Sequence, residues 1–392
     1  MGKKSKYIII IIFTARLSLQ AQSQLDFSYV DSATYSYYLN GAWDKLINLG
    51  DTAIRQNIDF KYLRQRLGHA YYLNEDYVKA GKHFRKAYVF DSYDPFTLQY
   101  LYYSCLSMGQ EDAAALVAGR MDKELRKSLS ANLFKPVESV SAEYNFKYAG
   151  TSLRTNPQYV NFGISSRLGS RLALYQMISK YRQTITVRLP YRDSYINDEQ
   201  SEYYALLKVS LARNLLFKSA YHYLYTTYSI STTTSHLGYA GLSTLSSNFL
   251  MGIDASVRYD AGEYIKQFGI LTGINSMGSH KIYLTGYLSL LNENSTNRVI
   301  YTQKAGIKIS KGFWLEGNAI LGNLNNFNDF SAMYIYNSID PTTFRVGSTL
   351  YFYSGKHISL WLNFAYEKKQ FYEDLNYHYN QFSYLGGIKW KI

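Results

Sequence analysis

Segments in which apolar and polar side chains alternate recur through the last two thirds of the chain. In the clearest case, Met251, Ile253 and Val257 fall on one face of a predicted strand, while Asp254 and Arg258 fall on the other. Successive side chains of a β-strand point to opposite sides, so this pattern predicts strands with one apolar and one polar face. Segments of about ten residues or more can cross an outer membrane as tilted strands. The pattern therefore predicts an antiparallel β-barrel that spans a membrane.

The last residues of the chain, 381–392, form one such segment. Ser383, Lys389 and Lys391 occupy its polar face. The opposite face carries the residues that we predict for the barrel-closing strand: Phe382, Tyr384, Ile388, Trp390 and Ile392. A final strand with aromatic residues near the membrane boundary would pair with the first strand and remove the edges of the sheet. Taken by itself, the segment also fits an edge strand of a soluble β-domain.

The alternating segments place the barrel in residues 136–392 and predict about 14 strands, with roughly 12 to 16 possible. The alternation changes parity within 171–189, which predicts a bulge or a missed turn. Residues 330–338 are either a strand or part of an outer loop. Short turns alternate with longer polar loops along the chain, and 190–200 and 323–342 are predicted to be outer loops.

The N-terminus has the layout of an export signal. Lys3, Lys4 and Lys6 precede an apolar run that contains five consecutive isoleucines, and the small residue Ala21 follows. We predict a signal peptide over residues 1–21. An N-terminal membrane anchor is the alternative, but the apolar run is far shorter than the roughly 20 residues that a spanning helix needs.

A helical sequence with a period of 34 residues lies between this signal and the barrel. The central unit, 61–94, has Leu67, Gly68 and Phe84 in positions that units 27–60 and 95–128 match in register. The pattern resembles the tetratricopeptide repeat, in which small residues let paired helices pack closely. The resemblance implies a short α-solenoid over 27–130 that binds a partner protein, and the alternative is a rigid spacer.

The composition agrees with an exported barrel. Tyrosine and phenylalanine number 42 and 20, and side chains with one wet and one apolar end suit the two boundaries of a membrane. The net charge of +13 favours anionic partners, among which we expect outer-membrane lipid and lipopolysaccharide. Export disfavours nucleic acid as a partner. Cys105 is the single cysteine, which excludes an internal disulfide.

The order of the domains and two short segments are similar to a known family. A tetratricopeptide-like domain followed by a barrel that ends in the segment Tyr384 to Ile392 resembles the YaiO family of outer-membrane β-barrel proteins, as does the segment Tyr336 to Arg345. With an exported N-terminus and an even number of strands, both ends of the barrel would lie in the periplasm, so we expect a Gram-negative outer membrane with the helical domain in the periplasm. The same domain order also resembles exopolysaccharide export proteins, in which periplasmic repeats feed a polymer into an outer-membrane barrel.

Basic side chains predominate on the predicted interior face of the barrel. They are Lys147, Arg167, Arg188, Lys208, Arg258, Lys304, Lys308 and Arg345. The acidic side chains predicted on the same face are Glu143, Asp254, Glu316 and Glu367. A basic lumen would attract anions and raise their local concentration. The alternative is that these charges pair with one another inside a closed barrel.

Two functions fit this organisation. The first is a channel or export component for an anionic solute or polysaccharide. The second is a non-conducting envelope scaffold, or a secretion or assembly accessory, that recruits a periplasmic protein through its repeats. An enzyme is disfavoured because no Ser, His and carboxylate set and no paired metal ligands are recognisable, so we expect no catalytic residue, metal or cofactor. The barrel-assembly machinery is a further expected partner.

Overall fold

Helices occupy the N-terminal part of the chain, and β-strands occupy the rest. The computed structural model describes residues 25–229, 231–246, 248–276, 281–329, 331–355 and 357–392. The predicted signal peptide, residues 1–21, lies outside these ranges. Within them, seven helices precede a closed antiparallel barrel of 14 strands. The predicted fold class, a helical part followed by an antiparallel barrel of about 14 strands, is confirmed.

The helices come in pairs that repeat along the chain. The first helices of three successive pairs begin at residues 27, 61 and 95, and the second helices at 43, 77 and 111. This spacing equals the period read from the sequence. The helices are α1 (Phe27–Leu39), α2 (Trp43–Arg55), α3 (Lys61–Leu73), α4 (Tyr77–Phe90), α5 (Pro95–Ser107), α6 (Glu111–Ala118) and α7 (Lys123–Ser128).

Aspartate side chains fix several helix starts. Asp26, Asp94 and Asp122 each accept a hydrogen bond from a backbone N–H in the first turn of α1, α5 and α7. Such a cap satisfies a donor that has no partner within the helix. Pro95, the first residue of α5, suits this position because it has no N–H to leave unsatisfied.

Small residues and left-handed turns allow the helices to pack closely. Gly41, Glu75 and Gly109 join the two helices of each pair, with φ angles of +66°, +57° and +69°. A side chain at Gly68 would collide with the ring of Phe84. The helical domain, defined here as residues 25–133, thereby buries a continuous apolar core of its own.

The strands form one meander in which neighbours in sequence pair around the barrel. The strands on the barrel wall are β1 (Phe134–Ala149), β2 (Gln158–Leu168), β3 (Leu172–Arg188), β4 (Asp193–Ala212), β5 (Leu215–Tyr228), β6 (Ser231–Ser246), β7 (Phe249–Asp260), β8 (Glu263–Ser276), β9 (Ile282–Glu293), β10 (Thr296–Ser310), β11 (Phe313–Leu321), β14 (Thr342–Ser354), β15 (Ile358–Gln370) and β16 (His378–Lys391). A separate two-stranded hairpin consists of β12 (Asn328–Asp329) and β13 (Tyr334–Ile335).

The last strand closes the barrel. β16 pairs with β1, and Trp390 lies opposite Val140 in the register. Because both ends of the wall meet in this pair, the sheet has no open edge. The helical domain precedes β1 and therefore lies at the end of the barrel where β16 finishes. We call this the helical end and the opposite one the far end.

The outer face of the barrel is apolar around its circumference. Exposed side chains on this face include Phe162, Ile178, Ile253, Leu288 and Leu362. Exposed aromatic rings mark both ends of the band, with Phe249, Phe313 and Trp390 at the helical end and Tyr148, Tyr225 and Tyr264 at the far end. An apolar band between two aromatic girdles is the surface that a membrane-spanning barrel presents to lipid.

Two predictions about the region after β2 are wrong. β3 pairs with β4 in one continuous register from Leu172 to Arg188, so residues 171–189 contain no parity change in this pairing. Residues 190–200 are largely strand, since β4 begins at Asp193. The alternation was misinterpreted because Ile185 is apolar but faces the interior of the barrel, where it is fully buried. Residues 154 and 155, in the loop after β1, pair with β3 at this point. The apolar side chains there are covered by this loop and do not meet lipid.

The segment between β11 and β14 does not form an outer loop or a strand of the wall. We call residues 322–341 the inner loop; it folds into the barrel and carries the β12–β13 hairpin. Leu324 and Phe327 of this loop are fully buried among barrel side chains. Both alternatives considered for 330–338 are therefore wrong.

Candidate functional site in the barrel lumen

The inner loop crosses the lumen and is held by opposite sides of the wall. On one side, Tyr334 donates to Glu143 of β1 at 2.6 Å. On the other, Asn328 donates to Ser256 of β7 at 2.9 Å. β1 and β7 lie almost half a circumference apart in the strand order. The loop therefore spans the cross-section of the barrel.

Further hydrogen bonds join the backbone of the inner loop to the wall. His222 Nδ1 of β5 lies 2.7 Å from the carbonyl oxygen of Ala332, and the Tyr204 hydroxyl of β4 donates to the carbonyl of Ser331 at 2.9 Å. Gln267 of β8 both donates to and accepts from the backbone of Asn328. Buried backbone groups need such partners, so these interior polar side chains fix the path of the loop.

Two small apolar clusters anchor the loop between the polar contacts. Leu324 and Phe327 pack with interior residues of β8 to β11, and Ala332 packs with interior residues of β3 to β6. The wall residues of the first cluster are Ile265, Leu291, Ile300 and Ile320, and those of the second include Met177, Tyr204 and Leu237. Apolar side chains on the interior face thus mark where the loop rests.

An ionic cluster holds the end of the inner loop near the far end of the barrel. Arg154, which follows β1, contacts Asp340 of the loop through two hydrogen bonds of 2.6 and 3.1 Å. The same guanidinium contacts Glu373, and Asp340 also accepts from the Tyr379 hydroxyl at 2.8 Å. Arg154 is 3% exposed. A buried guanidinium with two carboxylates forms a strong, geometrically specific contact.

A cavity of about 420 Å³ borders the inner loop. Five carboxylates and three cationic side chains line it among the described residues, together with several aromatic rings. Glu367 lies at the centre of its charges and contacts Lys147 at 3.0 Å and Arg345 at 3.3 Å. Glu143 accepts from both Tyr334 and the Trp361 indole N–H. These carboxylates are therefore engaged by donors of the protein itself.

A second cavity, which we call the vestibule, lies between the helical domain and the barrel. It has a volume of about 480 Å³ and is lined by residues of α4, α5 and α6 together with interior residues of the barrel. Six cationic side chains but only three carboxylates are in its lining: Arg85, Arg167, Lys208, Arg213, Lys218 and Lys389, with Glu111, Asp112 and Glu138. The helical end of the lumen is accordingly basic.

Ion pairs attach the helical domain to this end of the barrel. Asp112 contacts Arg167 at 3.1 Å, and Glu111 pairs with Lys391. Glu75 pairs with Lys281, and the hydrogen bond from this lysine holds the pKa of Glu75 below its ordinary value. The helical domain therefore lies across part of the helical end.

The structure places seven of the eight predicted lumen cations on the interior face, with Lys147, Arg258 and Arg345 near the inner loop and Arg167, Lys208 and Lys308 towards the helical end. Lys304 lies between these levels on β10. Carboxylates of the barrel contact Lys147, Arg258 and Arg345, and Asp112 of α6 contacts Arg167 and Lys208. Such pairing therefore accounts for much of the charge that the sequence suggested was available to a solute.

Arg188 is the exception, and its predicted position in the lumen is wrong. It ends β3 on the exposed side, opposite Asp193 in the register. The expectation relied on a parity change in this segment, whereas the interior face continues through Ile185. The predicted closing residues Tyr384, Ile388 and Trp390 are exposed on the outer face of β16, and Phe382 shares this face at half-burial. Ile392 follows the end of that strand and donates to Glu138 O.

Sequence reasoning did not single out several residues that shape the lumen. Arg154 and Asp340 lie in loops, where no periodicity indicates which way a side chain points. Lys218 and Lys389 alternate with outward-facing residues and could have been selected from this pattern. Within the described ranges, no group of three or more His, Cys, Asp or Glu side chains is placed to hold a metal ion. No described helix has the length and apolar character required to cross a membrane.

No protein-family model matches the chain, and no curated protein sequence is similar to it. Among solved structures, the Pseudomonas putida toluene transporter TodX has 6% identity and a TM-score of 0.45, with 67% of this chain and 90% of that one covered. A Pseudomonas aeruginosa FadL homologue has 8% identity and a TM-score of 0.42, with 74% and 94% covered. A bacterial polysaccharide outer membrane secretin has 8% identity and a TM-score of 0.39, with 66% and 99% covered. Similarity at this level assigns no ligand or activity to the chain.

Proposed function

We propose that the protein is a gated passage for an anionic solute or polysaccharide across a Gram-negative outer membrane. The inner loop is the gate, and the helical domain covers the periplasmic mouth. The observation that carries the proposal is the position of the inner loop, which spans the lumen between two sides of the wall. A cavity borders the loop and a second one lies towards the helical end. A barrel built only as an anchor has no need of a loop that crosses its lumen.

The nature of the contacts supports a loop that moves. Between its two apolar clusters, the loop is held by hydrogen bonds to side chains, such as those of Tyr204, Gln200 and Gln267. Water can replace these partners when the loop leaves, so the net cost of each exchange is only about 0.5–1.5 kcal/mol. Arg154 and Asp340 hold one end of the loop by an ion pair and would act as its latch.

The charge distribution supports an anion as the solute. The vestibule has an excess of cationic side chains, and basic walls concentrate anions at the mouth of a passage. The carboxylates beyond it are bound by protein donors, as Glu367 is by Lys147 and Arg345. They therefore oppose an incoming anion less than their number suggests.

The apolar outer band and its aromatic girdles support insertion in the outer membrane, with lipid and lipopolysaccharide around the barrel. Insertion would use the barrel-assembly machinery. The helical domain, in this proposal, lies in the periplasm and can engage a protein there through its repeats. The predicted relationship to the YaiO family and to tetratricopeptide repeats is part of this proposal.

Removal of the inner loop tests the passage directly. Leu324 N donates to Thr342 O at 2.8 Å, so the two ends of the loop are adjacent and residues 325–341 can be replaced by Gly-Gly. In planar bilayers we expect small or rare currents for the intact protein and a large, steady conductance for the variant. A matched control shortens a hairpin at the same end by replacing the exposed residues 188–193 with Gly-Gly, since Val187 lies opposite Ser194 in the register. A folded variant without the inner loop that stays silent would refute the passage.

Selectivity tests the charge of the solute. Lys304→Glu/Lys308→Glu reverses two interior charges and should lower the anion preference of the loop-deleted barrel. Lys180→Glu/Lys368→Glu makes the same change in net charge on exposed parts of the barrel and should leave the preference unchanged. A cation preference in the unmodified lumen would contradict an anionic solute.

A non-conducting scaffold is the second candidate, and exposed aromatic residues of the helical domain favour it. Tyr62 and Tyr93 are 57% and 83% exposed, so their rings are available to a partner surface. A silent loop-deleted barrel, together with loss of envelope integrity in cells that carry Tyr62→Ser/Tyr93→Ser, would select the scaffold over the passage.

A further inference from the structure

Four cationic side chains of the vestibule have no carboxylate partner. Its carboxylates are already engaged, because Asp112 and Glu138 contact Arg167 and Glu111 pairs with Lys391. Within the described part of the chain, no ion pair involves the remaining four side chains: Arg85, Arg213, Lys218 and Lys389. They come from α4, from the turn before β5, and from the interior faces of β5 and β16.

The fold brings these like charges together. Lys218 lies directly opposite Lys208 in the register of β4 and β5, and like charges in such a pair repel each other. Across the domain boundary, burial and the nearby Arg213 guanidinium lower the pKa of Arg85. A fold that gathers six cations and only three carboxylates around a cavity is less stable empty than with an anion bound.

The backbone adds donors to the same cavity. The first turn of α6 lines the vestibule, and its N-cap residue, Gln110, makes no capping hydrogen bond with its side chain. Backbone N–H groups at a helix start bind anions well because they have no partner within the helix. The same turn carries the carboxylates Glu111 and Asp112, which oppose an anion there although both are in ion pairs. This contribution is therefore secondary to the four side chains, which surround the cavity from both domains.

We propose that the vestibule is a binding site for a multiply charged, phosphate-bearing ligand that the helical domain and the barrel hold jointly. Arg85 contributes from the helical domain, and Arg213, Lys218 and Lys389 contribute from the barrel. Guanidinium and ammonium groups together match the several oxygens of a phosphate group. A cavity of about 480 Å³ admits more than a phosphate alone, so a phosphate ester or the headgroup of a phospholipid fits. The site goes beyond the proposed passage and requires no movement of the inner loop.

Calorimetric titration of the full-length protein with inorganic pyrophosphate tests the site. The protein is kept in a maltoside detergent at low salt, so that neither phosphate nor ions compete. We expect saturable binding to the unmodified protein and affinity weakened about tenfold or more in Lys218→Gln/Lys389→Gln, since half of the unpaired cations are lost. Lys180→Gln/Lys368→Gln removes the same charge from exposed positions and should bind as the unmodified protein does. Equal affinity of both double variants, or no binding to any protein, would overturn the site.

A second measurement separates a binding role from a structural one. Without ligand, Lys218→Gln removes the repulsion from Lys208, so its unfolding temperature should equal or exceed that of the unmodified protein. Pyrophosphate should raise the unfolding temperature of the unmodified protein more than that of the double variant at the same ligand concentration. A lower unfolding temperature of Lys218→Gln without ligand would mean that the lysine stabilises the fold, which contradicts the proposal.

Two further titrants identify the source of the phosphate. If glycerol 3-phosphate competes with pyrophosphate as well as phosphatidic acid does, the ligand is a soluble phosphate ester. Competition by phosphatidic acid alone supports a lipid headgroup. A silent loop-deleted barrel would refute the passage and leave these binding results unaffected, so the two proposals fail separately.

Discussion

Acid should destabilise the helical domain through one buried histidine. His83 of α4 is 6% exposed and stacks on Tyr71, with ring centroids 5.3 Å apart. Its Nδ1 lies 3.3 Å from Arg64 Nη1, and because a guanidinium can only donate, Nδ1 accepts and the imidazole is neutral. Burial, aided by the charge of Arg64, lowers the pKa of His83 to about 4.

The magnitude follows from the two protonation equilibria. The unfolded chain takes up a proton at this histidine below its ordinary pKa of 6.5, whereas the folded domain stays neutral down to about 4. Stability is therefore fully present above pH 6.5 and falls as the pH drops towards 4. The whole effect is about 3.4 kcal/mol, of which about 2 kcal/mol is lost between pH 7.5 and pH 5.

Urea unfolding of the full-length protein at these two pH values measures the effect, with the helical signal at 222 nm as the readout. His83→Gln is the control, because its side-chain oxygen can still accept from Arg64 but does not titrate. We expect the unmodified domain to lose about 2 kcal/mol of unfolding free energy between pH 7.5 and pH 5. The variant should lose much less over the same range.

Other titratable groups also affect how the stability of the helical domain depends on pH. Asp51, Asp59 and Lys82 also act electrostatically on His83. Burial also lowers the pKa of His69, so the control should retain a small slope. Equal losses in the unmodified protein and in His83→Gln would refute the assignment of this pH dependence to His83.

Two further changes probe positions where backbone geometry decides the outcome. Glu75→Gly should leave α3 and α4 at least as stable in urea. Relief of the left-handed conformation at this position is worth about 1 kcal/mol, which exceeds the contribution of the exposed ion pair between Glu75 and Lys281. A loss of more than about 1 kcal/mol of unfolding free energy would show that the ion pair dominates. Gly387→Val should destabilise the barrel by about 2 kcal/mol or more, since a side chain there would collide with the ring of Trp361. Gly386→Val is the control, because a side chain at this outward-facing position meets only Leu362, at an ordinary distance. The heat-induced mobility shift in gel electrophoresis compares the two glycine variants, and equal transition temperatures would contradict the collision.

The strands and the helix pairs could be predicted because the sequence patterns that specify them involve residues close together in the chain. Strand alternation depends only on neighbouring residues, so segments such as 249–260 were assigned to the correct faces. The helix pairs could be placed because Gly41 and Gly109 mark turns that need a positive φ. Glu75 occupies the same turn without being glycine, and only the register of the repeat indicated its conformation.

The inner loop could not be predicted because its position depends on contacts that are distant in sequence. Nothing near Asn328 indicates that it meets Ser256 and Gln267, which lie 72 and 61 residues earlier in the chain. Alternation also fails where a loop covers the wall. Ile265 and Leu291 are apolar and face the interior, so a rule that assigns apolar side chains to lipid places them incorrectly.

The placement of charge shows why net charge alone misled about the lumen. The sequence suggested that the whole interior of the barrel is basic, whereas in the structure the region around the inner loop differs in charge from the helical end. Around the inner loop, Lys147 and Arg345 both form ion pairs with Glu367, so their charges are compensated inside the barrel. At the helical end, Lys218 and Lys389 face the vestibule without a carboxylate partner among the described residues. A cation whose charge is compensated locally adds little to the attraction of a solute, so the vestibule is the place where a charged ligand gains most from binding.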